Sequence, residues 1–392
     1  MYVKYLNLIN FRNYKELNLE FCNGTNVFVG DNAQGKTNIL EALYYTSIGK
    51  SHRTNKDKEL IKWNEEEAYI KTYIAKERLD KKIQIKIFKE GKKGININSI
   101  KITKLQELVG VLNVVIFSPE DLSIIKDSPS HRRKFLDIEL CKLNSRYYYS
   151  LSMYKKVLNE RNMVLKRYNS NPDMLDIYDV QLSELGAYIV RERLSYIKML
   201  NHHGSGIHKE ITQNKESIEF KYITALKLVE DVKGEIYSSL VNNRKRDIER
   251  KVTSVGPHRD DLSIFINGMD VKIFGSQGQQ RTSVLSIKFA SLYIIKELTG
   301  EYPLLLLDDV LSELDTKRQE YILSSIKNVQ TLITCTGFND IKGNLKSEVF
   351  KIFKENNIVV KLITTSDIRI TCAIDSKDKM VAINKVADEF NL

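Results

Sequence analysis

Gly30-Asp31-Asn32-Ala33-Gln34-Gly35-Lys36-Thr37 is the stretch whose reading decides the fold. Before it, Asn26-Val27-Phe28-Val29 has the composition of a buried strand, and after it Asn38-Ile39-Leu40-Glu41-Ala42-Leu43-Tyr44-Tyr45 has a helical pattern. Strand, glycine-bearing loop and helix are the setting that a phosphate-binding loop requires. Backbone N–H groups of the loop and of the helix N terminus face an anion, Lys36 reaches the outer phosphates of a nucleotide, and the Thr37 hydroxyl is a ligand for Mg2+. Gly30 and Gly35 allow a tight backbone path that a Cβ would obstruct. The expected nucleotide contacts are thus Gly30, Asp31, Asn32, Ala33, Gln34, Gly35, Lys36, Thr37 and Asn38.

The chain has 392 residues, more than one typical core, so two lobes are expected. Sixty-one basic residues against 50 acidic ones leave a charge of +11. That excess suits a nucleic-acid or acidic-lipid partner, and equally a cation-rich solvated surface. Cys22, Cys141, Cys335 and Cys372 are scattered, without a C-x-x-C pair or a His–Cys cluster, so neither a disulfide framework nor a zinc site is indicated. No apolar run approaches the roughly 20 residues that span a bilayer, and a soluble cytoplasmic protein without a membrane partner is expected.

Period-two alternation predicts strands at 2–8, 16–21, 26–29, 69–74 and 82–87, and an apolar strand at 111–117. Further on the period lengthens. Leu136, Leu140, Leu143, Tyr147, Leu151, Tyr154, Leu158 and Leu165 form one helical stripe, Asn169-Ser170-Asn171-Pro172 interrupts it, and Tyr178, Leu182, Leu185, Ile189 and Leu200 continue it. Two helices of roughly 30 residues would make an antiparallel arm about 45 Å long, or else an ordinary helical subdomain folded on a core. Strand patterning returns near Ser254 and runs through 262–266 before an Asn267-Gly268 turn, followed by a helix after Gln280, a strand at 303–307, a helix at 316–327 and a strand at 330–335. The pattern is βαβ alternation resumed after an insertion, so the class is α/β with the nucleotide-binding fold split in sequence.

The predicted strand ending in Leu307-Asp308-Asp309 supplies the other half of a phosphate-loop site, with Asp308 holding Mg2+ through water opposite Thr37 and Asp309 poised to polarise the attacking water. Between the halves lies Gly275-Ser276-Gln277-Gly278-Gln279-Gln280-Arg281. A Ser-x-Gly-Gln run that opens a helix resembles the signature of ABC-type ATPases, in which one subunit's signature closes over the nucleotide held by the other. The Ser276 hydroxyl and the N–H groups at Gly278 and Gln279 are donors suited to an anion. Taken alone, such a start is more often a helix cap. Asp309 stands where that family usually carries a Glu; being one methylene shorter, it implies slow hydrolysis. Val310-Leu311-Ser312-Glu313-Leu314-Asp315 resembles the family's D-loop at the dimer interface, and Thr336 stands where a switch histidine is usual.

Six segments narrow the resemblance: 10–14, 117–122, 128–137, 255–261, 276–282 and 307–315 together resemble the RecF family of bacterial DNA replication and repair proteins, an ABC-type, SMC-like group. The likeness covers about residues 1–350. It implies an ABC-type P-loop ATPase head split in sequence around an inserted helical lobe: head residues 1–125 with the phosphate loop, lobe or arm 126–250, head residues 251–353 with the signature and Asp-Asp motifs, and an unassigned tail 354–392. It further implies ATP and Mg2+ as cofactors, a homodimer on ATP binding, weak DNA-stimulated ATPase activity, binding of single-stranded, gapped or junction DNA, RecO and RecR partners, and support of the SOS response. Arg12 is expected to contact nucleotide phosphate, and Lys36, Asp308 and Asp309 to be the catalytic groups.

Candidate DNA phosphate contacts are His131-Arg132-Arg133-Lys134, Asn243-Arg244-Lys245-Arg246, Lys50, His52 and Arg53. Tyr147-Tyr148-Tyr149 offers base stacking or core packing. A transporter ATPase is the main alternative, and a GTPase is disfavoured because Asn55-Lys56-Asp57-Lys58 lacks the final carboxylate of a base-reading motif.

Overall fold

The computed structural model describes residues 1–30, 33–166, 172–227, 229–311, 314–326, 328–335, 360–366, 369–374, 381 and 384–385. From the N terminus run β1 (Tyr2–Phe11), β2 (Tyr14–Glu20), β3 (Thr25–Val29), α1 (Lys36–Ile48), β4 (Glu67–Ala75), β5 (Lys81–Phe88), β6 (Gly94–Ile97), β7 (Ile100–Lys101) and β8 (Val114–Phe117). There follow α2 (Ser123–Lys126), α3 (Pro129–Leu143), α4 (Ser145–Leu165), α5 (Pro172–Thr212), β9 (Ile218–Ile223), α6 (Val232–Asn242), α7 (Arg244–Arg250), β10 (Asp261–Ile266), β11 (Met269–Asp270), α8 (Val271–Phe274) and α9 (Gln277–Thr299). Last come β12 (Leu304–Asp308), α10 (Thr316–Ser325), β13 (Thr331–Cys335), β14 (Val360–Ser366) and β15 (Arg369–Ile374).

Two compact units divide the chain, Met1–Pro119 with Ile295–Leu392, and Glu120–Ile294. The first holds two six-stranded sheets, ordered β2-β1-β4-β5-β6-β7 and β15-β14-β3-β13-β12-β8. In the second of these β3, β13, β12 and β8 are parallel neighbours. α1 is buried without interruption from Ile39 to Ser47, as a helix enclosed on all sides must be. Its Leu40 and Leu43 share one apolar cluster with Leu6, Leu8, Ile70, Ile85, Leu306 and Leu332, which come from both sheets. Where the register of β1 shifts between Val3 and Tyr5, the Gln330 amide takes over the pairing: it accepts from Val3 N at 2.7 Å and donates to Val3 O at 2.7 Å.

The helical stripe expected over residues 136–165 proves to be two helices, because the chain breaks at Asn144, whose side chain caps α4 by accepting from Arg146 N and Tyr147 N. α5 continues without a break for 41 residues, about 60 Å at 1.5 Å per residue. Contacts of Arg161 with Asp179 and of Arg193 with Tyr147 run in opposite senses along α4 and α5, so the two are antiparallel. They do not stand alone as an arm: α5 also packs against α6 and β9. The turn at 169–171 lies outside the described residues.

Two further expectations change. Residues 111–113 form a turn, and the strand begins at Val114. The segment 251–294 was expected in the ATPase head, but it folds with the helical unit, since β10 takes β9 as its antiparallel partner from Asp261↔Ile223 to Ile266↔Ile218. Local alternation shows that β10 is a strand and cannot name its neighbour. The β10–β11 hairpin turns on Asn267 and Gly268, both at positive φ, as a two-residue turn matched to strand twist requires.

Candidate nucleotide site

β3 delivers the loop to the C-terminal end of the parallel strands, where open α/β sheets hold their ligands. Gly35 ends the loop at φ 98°, and a Cβ there would meet the Asn13 amide at 2.6 Å and the Tyr14 hydroxyl at 2.8 Å. No side chain caps α1, and Asn38 N donates to Gly35 O at 2.8 Å in its first turn. Lys36 Nζ folds back to donate to Gly30 O at 2.6 Å. Ala33 also lies at positive φ, while Asp31 and Asn32 are outside the described residues.

Thr37 and Asp308 meet, the hydroxyl donating to Asp308 Oδ1 at 2.8 Å. Thr334, on β13 between β3 and β12, places its hydroxyl 2.9 Å from the same oxygen and 3.0 Å from Asp309 N. Asp309 takes a left-handed backbone, φ 52°. A hydroxyl and a nearly buried carboxylate side by side form a hard-oxygen donor pair, which fits Mg2+. Thr336, which stands where a switch group is usual, lies outside the described residues; the hydroxyl at the site is that of Thr334, two residues earlier on an apolar strand that carries no sequence signal for it.

Arg12, expected at nucleotide phosphate, is bonded within the protein to Glu41 and Glu59. Its Nε and Nη2 grip both carboxylate oxygens of Glu41 at 2.8 and 2.7 Å, and Nη1 donates to Glu59 O at 2.8 Å. Glu41 is fully buried in α1 and also accepts from Ser51 at 2.5 Å. Burial alone would raise its carboxyl, but hydrogen bonds from Arg12 and Ser51 and the charges of Arg12 and Arg53 outweigh that and hold it below its usual value. Asn13, beside Arg12 in the β1–β2 turn, donates to Gln34 O at 3.3 Å and accepts from Asn38 Nδ2 at 2.8 Å, tying the turn to the loop. Glu41 carried a sequence signal in hindsight, an acid amid the apolar residues of a buried helix.

The signature segment belongs to the second unit. Ser276 and Gln279 form a reciprocal cap: Ser276 N donates to Gln279 Oε1 at 2.9 Å and Gln279 N to Ser276 Oγ at 3.2 Å. Ser276 and Gln277 are exposed and Gly278 is half-buried at the start of α9. Capping uses a lone pair of the Ser276 hydroxyl and leaves its proton to give. In the D-loop, Leu311 and Leu314 are buried and Asp315 caps α10 through Arg318 N, whereas Ser312 and Glu313 are outside the described residues.

The basic clusters separate into structural and exposed members. Arg132 is buried in a bidentate pair with Asp261 (2.7 and 2.8 Å), and Arg244 bonds Asp179 and Asp176 (both 2.7 Å), so neither is offered to DNA. His131, Lys134, Lys245, Arg246 and Lys50 are exposed. His52 is half-buried against Tyr44, and Arg53 donates to Asn38 Oδ1 at 3.0 Å. Tyr147 is core, its hydroxyl bonded to Asp137 at 2.7 Å.

Residues 2–361 match the family model of the RecF/RecN/SMC N-terminal domain, and residues 343–390 match that of an ACT domain. The chain is 63% identical over 357 residues to the DNA replication and repair protein RecF of Clostridium novyi (strain NT), covering 91% of this chain and 99% of that one. To the RecF of Clostridium tetani (strain Massachusetts / E88) it is 62% identical over 362 residues, 91% of this chain and 98% of the other. A solved structure described as the recombination mediator protein RecF with ATP in the RecFOR pathway superposes with a TM-score of 0.82 at 37% identity, over 95% of this chain and 99% of that one. An Smc head domain from Pyrococcus furiosus shares the fold, with a TM-score of 0.54 at 16% identity over the whole of both chains. The chain therefore belongs to the RecF family of DNA replication and repair proteins, within the RecF/RecN/SMC group.

Proposed function

We propose that this protein is an ATP-switched DNA-binding dimer of DNA replication and recombinational repair, in which nucleotide binding closes two copies on each other and slow hydrolysis resets them. The observation that carries the reading is the Thr37–Asp308 pair at the mouth of the loop. Lys36 withdraws from Gly30 O to neutralise the outer phosphates, the N terminus of α1 cradles them, and residues 30–38 surround them. Thr37 and Asp308 would hold Mg2+, Asp308 through water, and the ion would offset charge developing on the phosphates. Asp309 orients the attacking water, and its short reach makes turnover slow. Ser276 and Gly278 give their donors to the nucleotide held by the second copy, the Ser276 proton being spare after capping, while Gln279, whose N–H donates to Ser276 Oγ, holds the turn in place beside it. Arg12 acts by holding Glu41 under the loop and lends its remaining N–H bonds to phosphate.

The DNA is single-stranded, gapped or a junction. RecO and RecR proteins are the partners, as the RecFOR pathway named for the solved relatives suggests. The SOS response is the cellular setting, and the protein works in the cytoplasm; among the described residues no helix is long and apolar enough to cross a membrane. The transporter alternative has no support among relatives of 58–63% identity, which are named as DNA replication and repair proteins. Sedimentation with ATP, with gapped DNA and with both tests the reading. Dimers that need ATP, survive when hydrolysis is blocked and retain DNA are expected; a monomer under all conditions refutes it.

A further inference from the structure

The antiparallel sheet β2-β1-β4-β5-β6-β7 buries one face through Leu6, Leu8, Ile70, Ile83, Ile85 and Ile87. Its other face carries a different chemistry. Side-chain alternation and register bring Tyr5 opposite Tyr73, Tyr73 opposite Lys82, and Lys71 opposite Gln84, with Tyr69 one pair along β4. The Tyr5 and Tyr73 rings are 5.9 Å apart, and the Lys71 and Lys82 ammonium groups stand 5.1 and 5.9 Å from the Tyr73 centroid.

Two features distinguish this face from an ordinary solvated one. Tyr5 donates to Asn18 Oδ1 on β2 at 2.5 Å, and the Tyr69 hydroxyl accepts from the Gln84 amide on β5. Each phenol reaches a diagonal neighbour on the next strand, which ties its half-buried ring to the sheet, and the Tyr5 and Tyr73 rings are tilted 60° to each other. The second feature is the lysines. Lys86 pairs with Glu67 at 2.8 Å, whereas among the described residues no carboxylate pairs with Lys71 or Lys82, which lean on Tyr73; the acids Glu20 and Glu16 on β2 stand opposite Tyr5 and Ile9.

We propose that the β1–β4–β5 face is a stacking platform for single-stranded nucleic acid, with Tyr5, Tyr69 and Tyr73 receiving bases and Lys71 and Lys82 taking backbone phosphates. Aromatic rings interleaved with cations that no described carboxylate neutralises match a strand whose bases are exposed. A duplex keeps its base faces stacked internally and has only phosphates to offer. The inference rests on the DNA-binding reading above and names the form of DNA and the surface.

Fluorescence anisotropy with a labelled oligothymidylate of about 15 nucleotides, and with a duplex of equal length, tests it on the full chain. Tyr73→Ala is expected to weaken oligothymidylate binding about tenfold and Tyr73→Phe to preserve it. Lys71→Gln and Lys82→Gln should each lower the slope of log affinity against log salt by about 0.7. Oligonucleotides carrying 5-iododeoxyuridine should photocross-link wild-type protein at Tyr5, Tyr69 or Tyr73, which decides the matter even if Tyr73→Ala does not fold. Unchanged affinity in folded Tyr73→Ala, or cross-links confined to other surfaces, overturns the platform. Duplex binding without single-strand binding overturns it too and leaves the DNA reading standing, whereas binding of neither form removes both.

Discussion

The Thr37 hydroxyl and the Asp308 carboxylate lie 2.8 Å apart although 271 residues separate them in sequence. The pairing follows from sheet order, since β13 alone stands between β3, which delivers Thr37, and β12, which ends in Asp308. Asp308→Asn keeps an oxygen for Thr37 and Thr334 and removes the charge. Its thermal midpoint should stay close to that of the wild type while Mg2+-dependent ATP turnover falls about a hundredfold or more, measured by phosphate release.

Ser276 caps α9, and one substitution can separate that role from the proposed contact with a second copy's nucleotide. Aspartate is a good N-cap, so Ser276→Asp should retain the start of α9 and monomer stability, yet its negative charge opposes a phosphate. ATP-dependent dimers should vanish in light scattering while ATP still binds the monomer. Ser276→Ala should lose dimers as well and cost about 1 kcal/mol of stability from the missing cap.

Glu41 is a buried carboxylate held below its usual value, so its contribution is present above the unfolded carboxyl value and is lost as pH falls through the lower folded value. Glu41→Gln leaves Arg12 without its countercharge and should lower unfolding free energy by about 2–3 kcal/mol near neutrality. The difference between wild type and variant in urea unfolding should shrink as the solution is made strongly acidic.

His258 works in the opposite chemical direction with the same outcome. Its Nε2 faces the Thr253 carbonyl at 3.1 Å and must donate, so Nδ1 accepts from the Tyr154 hydroxyl at 2.8 Å, which fixes the neutral tautomer. Burial pushes its pKa down to about 4 from an ordinary 6.5. Between those values the unfolded chain binds a proton that the folded chain refuses, so stability falls as pH drops through that window, by about 3 kcal/mol in all. His258→Gln should flatten that part of the pH–stability curve.

Arg161 is fully buried and bridges Asp179 at 2.7 Å and Asp247 at 2.8 Å. Arg161→Ala removes the buried cation that Asp247 and Asp179 share, leaving Asp179 with Arg244, and should cost about 3–5 kcal/mol in chemical denaturation.

The strand, loop and helix around residues 25–48, the apolar strand ending at Asp308 and the helix opened by the Ser276 cap could be read from the sequence, because each is encoded within a dozen neighbours. Partners distant along the chain could not. Nothing near Arg132 or Arg244 announces that Asp261, Asp176 and Asp179 neutralise them, so a run of cations looked like a surface for DNA. The same holds for Thr334, whose value lies in the strand order, and for β9, which captures β10 and draws the signature segment into the second unit.

β14 adds antiparallel to β3 through Ile363↔Val27, Thr364↔Asn26 and Thr365↔Thr25, although the RecF/RecN/SMC match ends at residue 361. The strand that presents the phosphate loop is thereby flanked by polypeptide from beyond that match. Trimming this protein to the length of its shorter relatives would unzip one side of the nucleotide sheet, so a C-terminal deletion here is a perturbation of the ATP site and not the removal of an inert appendage.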